Sequence, residues 1–404
     1  MWFSVLPEKQ VRFQSLDSWR GLCAVLVALL HYHAAWHLYD FPLIRNSYLF
    51  VDFFFVLSGF VIAHAYGHRI GDLTDFGRFV VLRFGRLWPL HATVLGLFLV
   101  VELAAFALEP WLGGTYPRPP FTESRSVFAI LTNILMVHSL GFHPDVTWNF
   151  PSWSISVEFY TYLVFATVLL VLPRYRIAAS VALILFAVVV LVMIGPGSMD
   201  VTVHYGIFRC LAGFFLGCLA FRAYRATTAR LGRGGTMPRA DLVEAACMVL
   251  VLAFIAVAGT GPLSFLAPLV FTVAVYVFAF EGGVVSRFMK HPILLRLGAL
   301  SYSIYMVHAF VLLILENLAS IAGKLLGVPL ETVRTVNGSR IGLLDFGNPW
   351  IMDGLALVYL AAVIALASLT YRYVEVPGYE AAKRFVNRRG QGVPRLPGRA
   401  ISRN

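Results

Sequence analysis

His31 and Arg20 are the two residues whose types and spacing point most directly to chemistry. Both lie in the segment LDSWRGLCAVLVALLH, eleven positions apart. On an α-helix, eleven residues correspond to an azimuthal difference of about 20° and a rise of about 16 Å. An imidazole can act as a general base near neutral pH, and a guanidinium can hold a phosphate through paired hydrogen bonds. The spacing therefore predicts a base and an anion-binding group on one helix face.

Three further polar residues follow His31 in the same segment of the chain. His33, His37 and Asp40 are spaced i, i+4 and i+7, so a continuous helix would place them on a face about 200° away from His31. Such a set could hold a zinc ion, but a single helix without an HExxH motif or a cysteine partner is a weak zinc signature. We therefore predict hydrogen bonding at the helix end, and we expect no metal.

Ionisable residues also occur in three other apolar runs. Glu158 lies in PSWSISVEFYTY, Asp52 opens the second run, and His308 lies in SYSIYMVH. Charged groups are costly in lipid and usually face a protein interior or an aqueous cavity. On the predicted helices Glu158 and His31 lie at similar depth, so the two side chains could meet. The alternative for each residue, His31 included, is a hydrogen bond that only packs two helices together.

A cluster of arginines precedes the third apolar run. The segment RFVVLRFGRLWPL contributes Arg78, Arg83 and Arg86. Such a cluster is usually no more than the positive charge that orients a membrane helix. Because Arg20 is predicted at the same membrane surface, these arginines could also clamp a phosphorylated ligand through charge-assisted hydrogen bonds.

The composition shows which elements must position these residues. Of the 404 residues, 59% are hydrophobic and 13% are charged, whereas soluble domains average about 45–50% and about 25%. This excludes an ordinary soluble domain. The aromatic content of 14% excludes a disordered chain. We predict an all-α polytopic membrane helical bundle.

Ten apolar runs are long enough to cross a bilayer as helices. They cover residues 19–38, 48–68, 87–108, 153–172, 177–195, 207–222, 241–259, 263–281, 299–318 and 350–371. An eleventh run at 127–141 is shorter. If it does not cross, most of the 32 Lys and Arg residues lie on one side together with both termini, which the positive-inside rule assigns to the cytoplasm.

We therefore predict about ten transmembrane helices and one short re-entrant or interfacial helix. The membrane domain is expected to cover residues 1–380, and the basic tail at 381–404 is expected to be disordered. The net charge of +11 would suggest nucleic acid in a soluble protein, but here the basic residues sit between apolar runs. We expect membrane lipids as partners and no nucleic acid.

Seven segments together resemble the integral-membrane acyltransferase family three, which includes O-acetyltransferases of bacterial surface glycans. They are LDSWRGLCAVLVALLH, VDFFFVLSGFVI, RFVVLRFGRLWP, WSISVEFY, FRCLAGFFLG, LGALSYSIYMVH and YVEVP. The resemblance extends from Leu16 to Pro377. It implies an enzyme of the bacterial cytoplasmic membrane that moves an acyl group, most often acetyl from cytoplasmic acetyl-CoA, to a hydroxyl of a glycan or lipid-linked sugar. Glycan-assembly proteins are further expected partners.

The resemblance, together with the placement above, also gives expected roles. At the acidic motif the chain differs from many members of the family. Those members have a second acidic residue directly after the one that matches Glu158, whereas this chain has Phe159. The expected catalytic residues are His31 and Glu158; the expected acetyl-CoA-binding residues are Arg20, Arg83, Arg86 and Tyr302; and the expected acceptor-binding residues are Asp52, Trp153 and His308.

Several alternatives stay open. A secondary transporter or flippase of a glycan or lipid could use the intramembrane histidines and carboxylates as a proton path, although the chain has no evident inverted repeat. The acyl group could be larger than acetyl, and the acceptor could be a lipid or a macrolide. In an acyltransferase, the hydroxyl could attack directly with His31 as its base, or His31 could first accept the acyl group itself.

Overall fold

The computed structural model describes residues 12–112, 119–232, 237–336 and 339–391, and within these ranges the chain is a bundle of helices with one β-hairpin. The prediction of a polytopic helical membrane bundle is confirmed. The helices are α1 Gln14–Leu30, α2 Pro42–Arg45, α3 Phe50–Tyr66, α4 Leu73–Leu112, α5 Val127–Ile134, α6 Trp153–Val171, α7 Arg176–Met193, α8 Gly206–Leu231, α9 Ala240–Ala258, α10 Ala267–Phe278, α11 Val284–Met289, α12 Pro292–Leu326, α13 Pro349–Thr370 and α14 Val376–Gln391.

Eight of the helical segments in the described residues are long and apolar enough to cross a membrane. They correspond to eight of the ten predicted spans. The other two predicted spans, the first and the eighth, correspond to the shorter apolar helix α1, which has 17 residues, and to the segment Pro262–Phe278, which includes α10.

The short apolar run at 127–141 does not cross as a helix. Helix α5 has only 8 residues, which gives a length of about 12 Å, whereas a bilayer core is about 30 Å thick. The segment is held between two longer helices, because Trp88 of α4 donates to the Ile134 carbonyl at 3.0 Å and Ser156 of α6 donates to the Met136 carbonyl at 2.6 Å. This supports a re-entrant or interfacial helix.

Helix α1 is shorter than predicted. The first span was expected to run to residue 38, but α1 ends at Leu30 and His31 is its C-cap residue. The chain then pairs with a β-hairpin formed by β1 Glu331–Val336 and β2 Ser339–Leu344. Leu344 N donates to the His33 carbonyl at 2.9 Å, and Ala35 N donates to the Leu344 carbonyl at 2.8 Å.

The predicted common helix face of His33, His37 and Asp40 is therefore wrong, because the chain has left the helix before these residues. His37 Nδ1 lies 2.6 Å from the Asp353 carboxylate, and Asp40 forms a salt bridge with Arg334 at 2.8 Å. These contacts tie the segment after His31 to the hairpin and to α13.

The predicted tail begins as a helix rather than as a disordered segment. A π-helical turn, Tyr371–Glu375, joins α13 to α14, and α14 continues to Gln391 while packing against α4. Residues 381–391 are thus helical, and the rest of the predicted tail lies outside the described residues.

Helices α1 and α12 cross at two glycines, and this crossing sets the position of Arg20 and His31. A Cβ atom added to Gly21 would lie 2.5 Å from the Gly298 nitrogen, and one added to Gly298 would lie 2.3 Å from the Asp17 carbonyl oxygen. Real Cβ contacts are not this short, so the two backbones can approach this closely only because both positions are glycine.

We expect Gly21→Ala to separate these two helices and to destabilise the protein by about 1–3 kcal/mol, since the methyl group would meet backbone atoms that cannot rotate away. Thermal unfolding in detergent measures the loss. Gly96→Ala in α4 is the matched control, because a Cβ there meets nothing within 4 Å and alanine is the better helix former. Equal melting temperatures for Gly21→Ala and the wild type would contradict the close crossing.

Candidate active site

A cavity in the bundle is lined by all four residues that were expected to bind the acyl donor, namely Arg20, Arg83, Arg86 and Tyr302. It lies between α1, α3, α4, α6 and α12. Its charged and hydroxyl-bearing lining residues are Arg20, Ser58, Arg83, Arg86, Ser154, Glu158, Tyr162, Ser301, Tyr302 and Tyr305. We call this cavity the arginine pocket.

Arg20 lines the arginine pocket from α1 and is held on both sides. Its Nε donates to Ser301 Oγ at 2.8 Å, while its Nη2 donates to the Asp17 carboxylate and to the Gly298 carbonyl, each at 3.2 Å. Its side chain is 32% exposed, so the guanidinium still faces the pocket. The glycine crossing and these bonds fix the direction of the guanidinium.

Arg86 is paired with Glu375, a residue that was not among the predicted site residues. Glu375 belongs to the π-helical turn before α14; its side chain is 0% exposed, and it forms a salt bridge with Arg86. Ser303 donates to its other carboxylate oxygen at 2.6 Å. Tyr302 lies beside the pair, with its hydroxyl donating to the Leu87 carbonyl at 2.6 Å and its ring facing the Arg86 guanidinium.

Arg83 differs from its two neighbours in the pocket because no acidic side chain of the described residues forms a salt bridge with it. Its Nη2 donates to the Tyr66 hydroxyl at 3.2 Å, and its buried Nε has no hydrogen-bond partner in that part of the chain. A buried donor without a partner is costly. Arg83 is therefore the arginine of the pocket with the most unused capacity to bind an anion.

Glu158 lies in the arginine pocket and not beside the catalytic histidine candidate. Tyr162 donates to its carboxylate at 2.6 Å, and Ser58 is hydrogen-bonded to the same tyrosine at 2.9 Å. The hydrogen bonds of His31 go instead to Val27 and His308. The sequence placed the two side chains at similar depth, where they could meet, but in the described residues they have different partners and no hydrogen bond joins them.

His31 and His308 form a stacked pair at the end of α1. Their ring centroids are 5.1 Å apart, and Phe150 packs against His31 at 4.7 Å. His31 Nδ1 lies 2.9 Å from the Val27 carbonyl and 3.2 Å from His308 Nε2. A carbonyl oxygen only accepts hydrogen bonds, so this contact assigns the ring proton of a neutral His31 to Nδ1 and leaves Nε2 as the basic nitrogen.

One face of α12 connects the arginine pocket to the histidine pair. Ser301, Tyr305 and His308 are spaced i, i+4 and i+7, which places them on the same helix face. Ser301 holds Arg20, Tyr305 lines the pocket, and the Tyr305 ring lies 5.9 Å from the His308 ring. Tyr305 is also hydrogen-bonded to Ser154 at 2.9 Å. Anion-binding groups and a histidine base are therefore joined along one continuous line of side chains.

Asp52 and Trp153 lie in a structural cluster outside the arginine pocket. Asp52 forms a salt bridge with Arg209 at 2.7 Å, and the two side chains are 0% and 1% exposed. Arg209 also donates to the Tyr48 carbonyl at 2.9 Å, and the Trp153 ring covers its guanidinium. Each of the two buried charges needs the other to neutralise it in an apolar bundle. We therefore assign Asp52 and Trp153 a role in helix packing instead of the predicted role in acceptor binding.

The comparison with known families decides the class of this bundle. A family model described as "Acyltransferase domain" matches residues 13–372. The chain belongs to acyltransferase family three. It is therefore a membrane-bound acyltransferase, as the seven sequence segments predicted.

The acyltransferase is similar to several curated proteins. It is 33% identical over 166 residues to "Protein 2 in picA locus" of Rhizobium radiobacter, which covers 38% of this chain and 81% of the relative. It is 30% identical over 171 residues to acyltransferase MdmB of Streptomyces mycarofaciens, covering 40% of each chain. It is 24% identical over 390 residues to peptidoglycan O-acetyltransferase OatA of Listeria monocytogenes, covering 90% of this chain and 55% of the relative. No solved structure matches the chain.

Proposed function

We propose that this acyltransferase moves an acetyl group from cytoplasmic acetyl-CoA to a hydroxyl group of a cell-envelope or exported glycan, including a lipid-linked sugar. The observation that carries the proposal is the line of side chains that runs from the arginine pocket through Tyr305 to His308 and His31. The similarity to a peptidoglycan O-acetyltransferase supports acetyl as the group and a glycan as the acceptor.

The arginine pocket is the proposed site for the phosphates of acetyl-CoA. Arg20, Arg83 and Arg86 offer planar guanidinium groups that suit bidentate phosphate binding, and Tyr302 packs beside Arg86. The rise from Arg20 to the His31 position is about 16 Å along α1, a distance that suits an extended pantetheine arm. The thioester would then lie beyond Tyr305, close to the histidine pair.

His31 is the proposed general base. As the acceptor oxygen bonds to the acyl carbon, its proton goes to His31 Nε2, the carbon–sulfur bond breaks, and the thiolate of coenzyme A takes that proton from the imidazolium. The Val27 carbonyl and His308 Nε2 both face the Nδ1 proton, so they hold the ring in one orientation and stabilise the imidazolium. His308 is thus a positioning residue for His31.

The proposed orientation places the arginine pocket at the cytoplasmic end of the bundle. The distribution of Lys and Arg favours the same side for both termini, and the proposed location is the bacterial inner membrane. Coenzyme A is made and kept in the cytoplasm, so a donor pocket at that end fits the supply of the donor. The hairpin of β1 and β2 then covers the opposite end, next to the segment that follows His31.

A transfer assay tests the proposed function. Membranes that contain the protein are incubated with radiolabelled acetyl-CoA and total cell-envelope glycan, and membranes that lack it serve as the control. We expect label in the glycan that mild base releases, because hydroxyl acylation forms an ester. Glycan that stays unlabelled, in a preparation where the protein is folded and binds acetyl-CoA, would overturn the proposal.

We expect Arg83→Ala to weaken acetyl-CoA binding about tenfold or more, because charge-assisted hydrogen bonds contribute about 1.5–3 kcal/mol. The melting temperature should change little, since Arg83 has no salt bridge among the described residues to lose. Arg83→Lys should restore part of the affinity, as a point charge without the planar fork. Isothermal titration calorimetry in detergent measures the acetyl-CoA affinity of both variants.

Arg69→Ala is the matched control for Arg83, because Arg69 is exposed after the end of α3 and does not line the pocket. It should leave the affinity for acetyl-CoA unchanged. If Arg83→Ala binds acetyl-CoA as tightly as Arg69→Ala, the phosphates do not bind at Arg83.

A further inference from the structure

A second cavity lies at the end of the bundle where α1 begins and α8 ends, and the acyl-transfer chemistry does not use it. It is formed by the end of α3, the end of α6, the start of α7 and the second half of α8, and its volume is about 400 Å³. Its apolar wall includes Phe165, Leu169, Ile177, Phe215 and Leu219. We call this space the α7 cavity.

The rim of the α7 cavity is basic. Arg176, Arg222 and Arg225 line it together with His68, and none of the described residues that line it is acidic. In the part of the chain that the structure describes, none of the three arginines is in a salt bridge. Elsewhere in the bundle, Arg86, Arg125 and Arg209 are each paired with a buried carboxylate. The rim therefore holds positive charge that this chain does not neutralise.

The hydrogen bonds at the rim leave donors unused. Arg176 donates to the Gly67 carbonyl at 3.0 Å and lies 3.5 Å from His68 Nδ1, while Arg225 lies 2.5 Å from His68 Nε2. Burial and the two nearby guanidinium groups lower the pKa of His68 below its ordinary value. A neutral imidazole has only one acceptor nitrogen, so it can satisfy only one of the two arginines. An anion between the arginines would accept from both.

The position of the α7 cavity restricts what this anion can be. Helix α7 is the least buried of the eight long apolar helices, with 17% of its apolar window inside the bundle, so the cavity adjoins the surrounding lipid. Arg176 begins α7 and His68 follows the end of α3, so the basic rim lies at the level of these helix ends, where lipid headgroups are found, and the apolar wall extends inward along α6, α7 and α8. This combination matches an amphiphile with an anionic head and an apolar chain.

We propose that the α7 cavity is a binding site for an anionic glycerophospholipid, with the headgroup phosphate between Arg176 and Arg225 and one acyl chain against the apolar wall. The site is separate from the arginine pocket, with which it shares no lining residue. The proposal does not depend on acetyl transfer, and a result against it would leave the proposed function unchanged.

Native mass spectrometry of the purified protein tests the site with phosphatidylglycerol and phosphatidylcholine of the same acyl chains. We expect wild-type protein to retain phosphatidylglycerol at least tenfold more tightly, and we expect Arg176→Gln/Arg225→Gln to lose that preference. The matched control is Arg174→Gln/Arg230→Gln, which removes the same charge from the same end of the bundle at exposed positions outside the cavity. The control should keep the preference.

Two further measurements separate a lipid site from a simple anion site and guard against misfolding. Leu219→Trp keeps all three arginines but fills the apolar wall, so it should also lower phosphatidylglycerol retention, and gel filtration confirms that each variant is folded. Soluble glycerophosphoglycerol should compete at least tenfold less well than the intact lipid. Equal losses in both arginine double variants, equal retention of the two lipids by the wild type, or equal competition by the soluble headgroup would overturn the proposal.

Discussion

His31→Ala is expected to lower the rate of acyl transfer by about 10²–10⁴-fold, the range typical for the loss of a general base. If His31 carries the acyl group covalently, the loss would be at least as large. Binding of acetyl-CoA and the melting temperature should stay close to the wild-type values, because His31 does not line the arginine pocket and is only half-buried. The initial rate of label transfer from acetyl-CoA to glycan, measured beside donor affinity, separates these effects.

His33→Ala is the matched control, since it removes the same side chain two positions away. The structural contact of His33 uses its backbone carbonyl, which accepts from Leu344, so truncation of the side chain leaves the hairpin attached. We expect transfer by His33→Ala within a few-fold of the wild type. Equal losses in the two variants, both folded, would return His31 to a role in helix packing.

The second large effect is expected at the buried pair of Arg86 and Glu375. Breaking a buried salt bridge by removing one partner typically costs about 3–5 kcal/mol, because the other charge is left without compensation. Arg86→Ala would leave the fully buried Glu375 carboxylate with Ser303 as its remaining partner. We expect a large drop in melting temperature and a loss of acetyl-CoA binding.

A double variant separates the two roles of Arg86. In Arg86→Met/Glu375→Leu both charges are replaced by apolar groups of similar size, a change that is often neutral or stabilising at buried pairs. We expect most of the stability to return while acetyl-CoA affinity stays low. The control is Arg287→Ala, which breaks an exposed pair with Asp241 and should cost about 0–1 kcal/mol. Recovery of full acetyl-CoA affinity in the double variant would show that Arg86 stabilises the fold and does not bind acetyl-CoA.

Much of the fold and part of the site could be predicted from local patterns in the sequence. The lengths of the apolar runs predicted the membrane helices, and the segment RFVVLRFGRLWPL predicted two arginines that line the pocket. The spacing of Arg20 and His31 predicted one helix face, since eleven residues make just over three turns. These signals lie within one or two helices, where the helical repeat and the residue composition determine which side chains share a face.

Partners from distant parts of the chain could not be predicted in this way. His308 lies 277 positions from His31, and Glu375 lies 289 positions from Arg86, and no local pattern determines which helices become neighbours. One signal was available in the sequence, because an isolated charged residue in an apolar run requires a partner of opposite charge. Arg209 could have been paired with Asp52 on that ground.

The end of α1 and the hairpin were missed for a related reason. The apolar character of residues 31–38 is compatible with a continued helix, and only pairing with β2 shows that the chain leaves the helix at His31. The two strands lie between the ninth and tenth predicted spans, where the sequence analysis predicted no strand. One sequence signal was available, because an Asn-Gly dipeptide is typical of tight hairpins and this chain has Asn337 and Gly338 in that stretch; these two residues lie outside the described residues.

Transfer across a sealed membrane tests most directly whether the acyl group passes from the arginine pocket to the histidine pair. Purified protein is reconstituted in liposomes, radiolabelled acetyl-CoA is supplied on the side of the arginine pocket, and a membrane-impermeant glycan is supplied on the opposite side. We predict base-labile label in the glycan with wild-type protein and about a hundredfold less or lower still with His31→Ala. Label that appears only when donor and glycan share one side of the membrane would contradict this path.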